Sequence, residues 1–172
     1  MYNSNFLKQV HQSQNNIDLK KIREVSKLIY KKKKSKIFIA GNGASASIAN
    51  HVATDLTKSA GYNAVTLNES NLITCLSNDY GYENWISKGL GFYAKSSDIV
   101  ILVSSSGKSK NIVNAARFCK KKRITLITLS GFSKSNPLRK IGKFNFYVNS
   151  KNYNVVEVTH LTILLNIIEN LI

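Results

Sequence analysis

Cysteine, proline, acidic side chains and long apolar runs are all scarce in this chain. Its two cysteines, Cys75 and Cys119, come without a secretory signal pattern, so we expect two reduced, buried thiols and a cytoplasmic protein. The single proline, Pro137, and the lack of repeats or low-complexity stretches give no sign of a linker, which predicts one domain over residues 1–172. No apolar run approaches the roughly 20 residues that a membrane-spanning helix needs. No membrane partner is therefore expected.

The chain has nine aspartates and glutamates but 25 lysines and arginines, which gives it a net charge of +16. Such a charge attracts nucleic acid, anionic lipid or phosphorylated metabolites. The lysines concentrate in residues 20–36 and 120–122, without the aromatic–basic interleaving typical of single-strand binders. This pattern favours solvated basic helix faces over a nucleic-acid site, and steering of an anionic substrate is compatible with either.

Short runs rich in isoleucine and valine alternate with amphipathic stretches. The periodicity predicts strands over residues 36–40, 63–67, 98–103, 124–129 and 144–148, and helices over 3–13, 18–33, 45–59, 69–78, 81–95, 108–122, 137–142 and 155–172. Strands interleaved with helices indicate a parallel sheet covered on both faces. The last helix is apolar on nearly all sides, so we expect another subunit to cover it.

The stretch from Ile37 to Asp55 predicts a strand, a glycine turn and a helix. Glycines at 41 and 43 let the backbone approach a ligand, and the N–H groups of the following helix favour an anion. Beyond the turn, Ser47, His51 and Asp55 form a polar stripe with i,i+4 spacing. A hydrogen-bonded His–Asp pair without chemistry is the alternative interpretation of this stripe.

A second loop, Ser104-Ser-Ser-Gly-Lys-Ser109, directly follows the strand at 98–103. Its hydroxyls and the next helix N-terminus suit a phosphate dianion, although a serine-rich turn with an N-cap would look similar. Neither loop has the spacing of a Walker or a Gly-x-Gly-x-x-Gly motif, so a nucleotide site is not indicated. Both loops leave strand carboxyl ends and should line one crevice.

Five motifs occur in order along the chain: Gly41-Asn-Gly-Ala-Ser45, His51, Asn78-Asp79-Tyr-Gly81, the serine loop, and Glu157-x-x-His160. Together they resemble the sugar isomerase (SIS) family, and within it the bacterial phosphoheptose isomerases. The resemblance covers almost the whole chain, and the ordered set is specific where any one motif is weak.

The resemblance implies an α/β protein with a flavodoxin-like, three-layer α/β/α sandwich around a five-stranded parallel sheet. The N-terminal helices would occupy residues 1–35, the α/β core 36–150, and the C-terminal interface helix 155–172. The implied assembly is a homotetramer with sites at subunit interfaces. The implied reaction converts sedoheptulose 7-phosphate into D-glycero-D-manno-heptose 7-phosphate, a heptose precursor of lipopolysaccharide or capsule.

Site residues follow from the same resemblance, position by position. The phosphate would be held by four serines, Ser104, Ser105, Ser106 and Ser109. The sugar would be contacted by Asn42, Gly43, Ser45 and Asp79. No cofactor is required, but some members bind zinc at four positions, which correspond to His51, Asp55, Glu157 and Leu165.

The catalytic positions depart from the family pattern. The base position holds Asp55 where the family has glutamate, and Leu165 replaces a histidine that could move a proton or bind metal. A shorter base shifts the carboxylate by about 1 Å, which can cost on the order of a hundredfold in rate. Glu157, which stands for the family's glutamine, or His160 could act as the partner of Asp55. Helix capping by Glu157 and a core position for His160 are the structural alternatives.

These departures leave a second class of function open. Non-catalytic SIS proteins, some of which act with the bacterial replication initiator, keep the glycine turn but have lost catalytic side chains. Leu165 favours this alternative and Asp55 opposes it. Structural alternatives apply to other residues too: Asp79 could cap the next helix, and Tyr82 and Trp85 could lie in the core or an interface.

Overall fold

The computed structural model describes residues 4–172, which form seven helices and five strands. The helices are α1 (Ser4–Asn15), α2 (Leu19–Lys31), α3 (Ala44–Lys58), α4 (Ser70–Tyr80), α5 (Trp85–Tyr93), α6 (Lys110–Lys121) and α7 (Tyr153–Glu169). The strands are β1 (Ile37–Ala40), β2 (Ala64–Thr66), β3 (Ile99–Ser104), β4 (Thr125–Ser130) and β5 (Phe144–Tyr147). All five predicted strands are confirmed.

The five strands form one parallel sheet in the order β2-β1-β3-β4-β5. The chain runs outward from β1 to β2, then crosses back so that β3 lies on the other side of β1. Parallel sheets with this order bind ligands outside the carboxyl ends of the strands where the direction of winding reverses. The loops that leave β1 and β3 are therefore neighbours at that point.

Alternate strand residues feed two separate apolar cores. Ile37 and Ile39 of β1 belong to a core that also contains residues of α2, α3 and α7. Phe38 and Ala40 belong to the opposite core, with residues of α4, α5 and α6. Because strand side chains alternate between faces, each strand is buried on both sides. The predicted three-layer α/β/α sandwich is confirmed.

The cover of α7 comes largely from this chain itself, which corrects the expectation that another subunit supplies it. The helix packs against α1, α2, α3 and β4. Eight of its residues are buried in that way, among them Val156, Ile163 and Leu164. Val158 remains 40% exposed, and Leu165 packs partly buried against the core. The apolar residues on nearly all sides of α7 therefore reflect burial within its own chain.

Two other expectations need correction. Residues 137–141 form turns rather than a helix, because the chain there folds back on a buried asparagine, Asn136. Cys75 is exposed on α4, whereas Cys119 is buried as expected. Of the two aromatic residues that were predicted in the core or an interface, Trp85 is fully buried, whereas Tyr82 is 56% exposed and lies outside both cores. Within residues 4–172, no helix is long and apolar enough to cross a membrane.

Candidate functional site

The loop after β1 has a backbone that only glycine permits. A side chain at Gly41 would overlap the backbone carbonyl of Ser45, so the turn can close tightly only without one. Gly43 has a φ of +54°, in the left-handed region that favours glycine. α3 begins at Ala44, directly after this turn. The predicted strand, glycine turn and helix are all present, and Ser45 is buried under the turn.

The loop after β3 gathers serine hydroxyls in front of α6. The Ser104 hydroxyl donates to the Ser109 hydroxyl at 3.3 Å, and the Lys108 N–H donates to the Ser106 hydroxyl at 3.3 Å. Ser109 occupies the N-cap position of α6, yet its side chain makes no capping bond. The hydroxyls therefore bond within the loop, and the Ser109 side chain does not cap the first turn of the helix, whose N-terminus is the part that favours an anion.

A pair of asparagines joins the two loops. The Asn42 amide donates to the Asn111 side-chain oxygen and the Asn111 amide donates to that of Asn42, both at 2.9 Å. The Tyr82 hydroxyl also donates to the Asn42 oxygen, at 3.3 Å. Asn111 was not among the predicted site residues, and Tyr82 was predicted to lie in the core or an interface. The signal for Asn111 was available, since it is a polar residue in the first turn of a helix that follows a serine loop.

Glu157 approaches the serine loop from α7. The Ser105 hydroxyl donates to a Glu157 carboxylate oxygen at 3.2 Å, and the Ser105 carbonyl accepts the Gly131 N–H at 2.8 Å. The N-cap of α7 is Asn152, so Glu157 does not cap the helix. The structure thus brings one predicted catalytic carboxylate together with one predicted phosphate-binding serine.

His51 and Asp55 form a pair on the outer side of α3. The His51 Nε2 atom lies 3.3 Å from an Asp55 carboxylate oxygen, and their side chains are 54% and 29% exposed. Asp55 lies ten residues beyond Ser45 on the same helix, a rise of about 15 Å. The predicted base is therefore far along the helix from the glycine turn of its own chain.

The proposed zinc ligands do not come together within one chain. Among residues 4–172, no group of three or more histidine, cysteine, aspartate or glutamate side chains is placed to hold a metal ion. His51 and Asp55 are paired, but Glu157 bonds to Ser105 instead. Two ligands do not complete the four-coordinate geometry that zinc prefers.

His160 lies in the core, away from the crevice. It is fully buried, and neither ring nitrogen has a hydrogen-bond partner. Burial lowers the pKa of His160 to about 4, while the nearby backbone of Ser130 favours the protonated form without completing a bond. A neutral, enclosed imidazole cannot touch a substrate in the crevice, so the core alternative describes this residue.

Asp79 lies in the last turn of α4 and is exposed. Its carboxylate accepts from the Asn78 amide at 3.0 Å. The N-cap of α5 is Asn84, so Asp79 does not cap that helix. Its carboxylate is therefore open to solvent, three residues before Tyr82 in the chain.

The comparison with known proteins agrees with this geometry. The model of the SIS domain family matches residues 2–131, which include both loops and the His51–Asp55 pair. The chain belongs to the SIS domain family. α7, with Glu157 and His160, lies outside the matched residues. Two of the three departures from the family's catalytic pattern, at Glu157 and Leu165, therefore lie in a segment that the family model does not cover.

Two relatives with similar sequences are both named phosphoheptose isomerase. The chain is 39% identical over 131 residues to a phosphoheptose isomerase of Sulfurimonas denitrificans, covering 71% of this chain and 66% of that protein. It is 31% identical over 150 residues to the phosphoheptose isomerase of Thermodesulfovibrio yellowstonii, covering 83% and 74%. In the first of these matches the chain spans slightly less than two thirds of its relative's length.

A solved structure extends the likeness to the whole fold. Phosphoheptose isomerase GmhA from Neisseria gonorrhoeae superposes with a TM-score of 0.88 at 20% identity, over 96% of this chain and 93% of that one. The likeness includes α7, which the family model leaves out. At 20% identity, this superposition shows that the two chains share a fold.

Proposed function

We propose that this chain is a phosphosugar aldose–ketose isomerase that converts sedoheptulose 7-phosphate into D-glycero-D-manno-heptose 7-phosphate for surface-polysaccharide biosynthesis. The observation that carries the proposal is the junction of two ligand-type loops at the reversal point of the sheet, tied by the Asn42–Asn111 pair. The names of the relatives supply the substrate class.

The serine loop is assigned to the phosphate. Hydroxyls of Ser104, Ser106 and Ser109 and the first N–H groups of α6 offer neutral donors, and the helix dipole adds a positive field. The net charge of +16 steers an anionic substrate toward the protein. The turn from Gly41 to Ser45 then faces the sugar.

The base is assigned to Asp55 of a second copy of the chain. Asp55 lies about 15 Å along α3 from Ser45, so a sugar held at the glycine turn is remote from the Asp55 of its own chain. The carboxylate is partly exposed on the outer side of the helix, where another subunit can bring a crevice to it. A homotetramer with sites between subunits fits this arrangement.

The chemistry moves two protons. The base removes a proton from C1 of the ketose to give an enediol and returns it to C2, while the second proton passes between the oxygens on C1 and C2. Asp55 takes the first role. Glu157 is assigned the second, because it is the remaining candidate carboxylate and His160 is enclosed in the core.

A coupled assay with sedoheptulose 7-phosphate tests the proposal. Asp55→Asn should lower kcat by about 10²–10⁴-fold, the usual contribution of a general base, and should leave substrate binding by calorimetry unchanged. Asp55→Glu, which restores the family's longer base, should keep or raise turnover. Wild-type turnover no greater than that of Asp55→Asn would contradict an isomerase.

Sensing of a phosphosugar without turnover is the second candidate. Leu165 favours it, because this side chain packs against the core and offers no proton to the site. The sensor predicts that a sugar phosphate binds with the same affinity to the wild type and to Asp55→Asn, with no product in either case. The isomerase predicts equal binding but unequal turnover, so one pair of measurements separates the two.

A further inference from the structure

A second cleft lies at the opposite side of the chain from β2, beside the edge strand β5. Its volume is about 570 Å³, within the range of small-molecule sites. Its walls come from α1 and the α1–α2 turn, from β5 with the residues after it, and from the segment that follows β4. None of the residues of the glycine turn or the serine loop lines it.

Arg139 is held in a fixed position at this cleft. Its Nη1 atom donates to the Lys134 carbonyl at 2.7 Å, and its guanidinium lies 4.7 Å from the centroid of the Tyr147 ring. Tyr147 is fixed in turn, since its hydroxyl donates to the Phe132 carbonyl at 3.0 Å. Within residues 4–172, no carboxylate lies within ion-pair distance of Arg139, so its charge has no internal counterpart.

The other charged groups leave the cleft positive. Lys21, Lys134 and Arg139 line it together with a single carboxylate, that of Asp18. This carboxylate is already engaged, because it accepts the Lys21 N–H at 2.9 Å as the N-cap of α2 and lies 3.3 Å from the Lys21 ammonium group. A hollow next to the cleft shares Lys21, Lys134 and Arg139 and adds Lys140, Lys143 and Glu24.

We propose that this cleft binds a small molecule that carries a phosphate group, at a site separate from the substrate crevice. A guanidinium that is stacked and hydrogen-bonded loses little freedom on binding and presents a fork that matches a phosphate in bidentate fashion. Lys134 supplies a second charge beside it. Walls from three separate segments surround a compact molecule, and the partly buried Ile17 offers apolar surface for its remainder.

Nuclear magnetic resonance with inorganic phosphate as the probe tests this site. The backbone amides of Tyr147 and Asn149 should shift saturably in the wild type at constant ionic strength. Arg139→Gln should weaken the apparent affinity about tenfold, since bonds to charged donors are roughly twice as strong as neutral ones. Lys134→Gln, which leaves the Arg139–Tyr147 stacking in place, should weaken it severalfold. Arg117→Gln, on the exposed surface of α6, is the matched control and should change nothing.

Three outcomes would overturn the proposal: no saturable shift at Tyr147 and Asn149, equal shifts with chloride, or wild-type affinity in both Arg139→Gln and Lys134→Gln. The substrate crevice reports separately through the amides of Gly107 and Ser109. A response there without one at Asn149 contradicts the cleft and leaves the proposed function intact. The reverse result supports the cleft and counts against the phosphate role of the serine loop.

Discussion

Gly107, in the middle of the serine loop, is required for two separate reasons. Its φ is +65°, and a side chain there would overlap the Asn136 side chain. Asn136 is buried and donates to the Ser133 carbonyl at 2.8 Å while accepting the Arg139 N–H at 2.9 Å. No sequence pattern indicates the role of this asparagine. The Asn136 side chain packs against Gly107 of the serine loop, and its hydrogen bond to the Arg139 N–H holds the segment that carries Arg139.

The contact with Asn136 can be separated from the cost of the backbone conformation. Gly61 has a similar φ of +70° but open space around the position of a side chain. Gly61→Ala should cost about 1–2 kcal/mol of unfolding free energy, the penalty of a left-handed backbone. Gly107→Ala should cost about 1–3 kcal/mol more because of the overlap. Urea unfolding of the two variants measures the difference, and equal losses would contradict the support assigned to Asn136.

At the scale of elements, α7 shows how one helix combines a structural and a functional side. Its buried face, with Val156, Ile163 and Leu164, completes the core over the sheet. Glu157, one turn before the buried His160, instead contacts the serine loop at Ser105. Both polar residues were candidates for the catalytic partner of Asp55 on sequence grounds. Only packing distinguishes them, because a helix this apolar has no polar face that indicates which side turns toward the site.

His160 should make the stability of the protein fall in acid. Its folded pKa of about 4 lies below the unfolded value of about 6.5, so the unfolded state binds a proton first as the pH falls. The stabilisation is complete above pH 6.5 and is lost progressively as the pH falls to about 4, a change of about 3 kcal/mol. Urea unfolding between pH 8 and pH 4 measures it.

Two variants isolate this effect. His160→Leu should flatten the dependence on pH in that window and should cost no hydrogen bond, since neither ring nitrogen has a partner. His11→Gln, on the exposed side of α1, is the matched control and should leave the dependence as in the wild type. An unchanged slope in His160→Leu would show that another group is responsible.

At the scale of the whole molecule, the separation of Asp55 from the serine loop makes assembly part of the proposed function. The loop lies at the carboxyl edge of the sheet, whereas Asp55 lies three turns along α3 on a partly exposed face. Within one chain, the proposed base lies about 15 Å along α3 from Ser45 of the glycine turn, which is assigned to the sugar. An active site shared between copies would unite them.

Mixing two inactive variants tests this sharing. Asp55→Asn lacks the base, and Ser109→Asp repels the phosphate by placing a carboxylate in the loop, so each homo-oligomer should be inactive in the coupled assay. Unfolding and refolding the two together should restore activity, because some sites in the hybrids combine an intact loop with an intact Asp55. Mixing without subunit exchange is the control. Hybrids as inactive as their parents would place the base and the loop in the same chain.

The order of the elements could be predicted from the sequence because the signal is local. Runs of isoleucine and valine that alternate with amphipathic stretches predict buried parallel strands wherever they occur. The two loops were recognisable for the same reason, since glycine and serine directly after a strand define their own conformation. The turns at 137–141 were mistaken for a helix because their folding depends on Asn136, a contact that no periodicity encodes.

The sequence by itself therefore determined the sheet, its two covering layers and the two loops to which the phosphosugar is assigned. Only the tertiary structure decided which polar side chains face that site. Glu157 reaches Ser105 and His160 does not reach the crevice, because α7 packs against α1, α2 and α3 with His160 on its buried side. The stacked Arg139 and its cleft arise in the same way, from segments far apart in the chain that packing brings together.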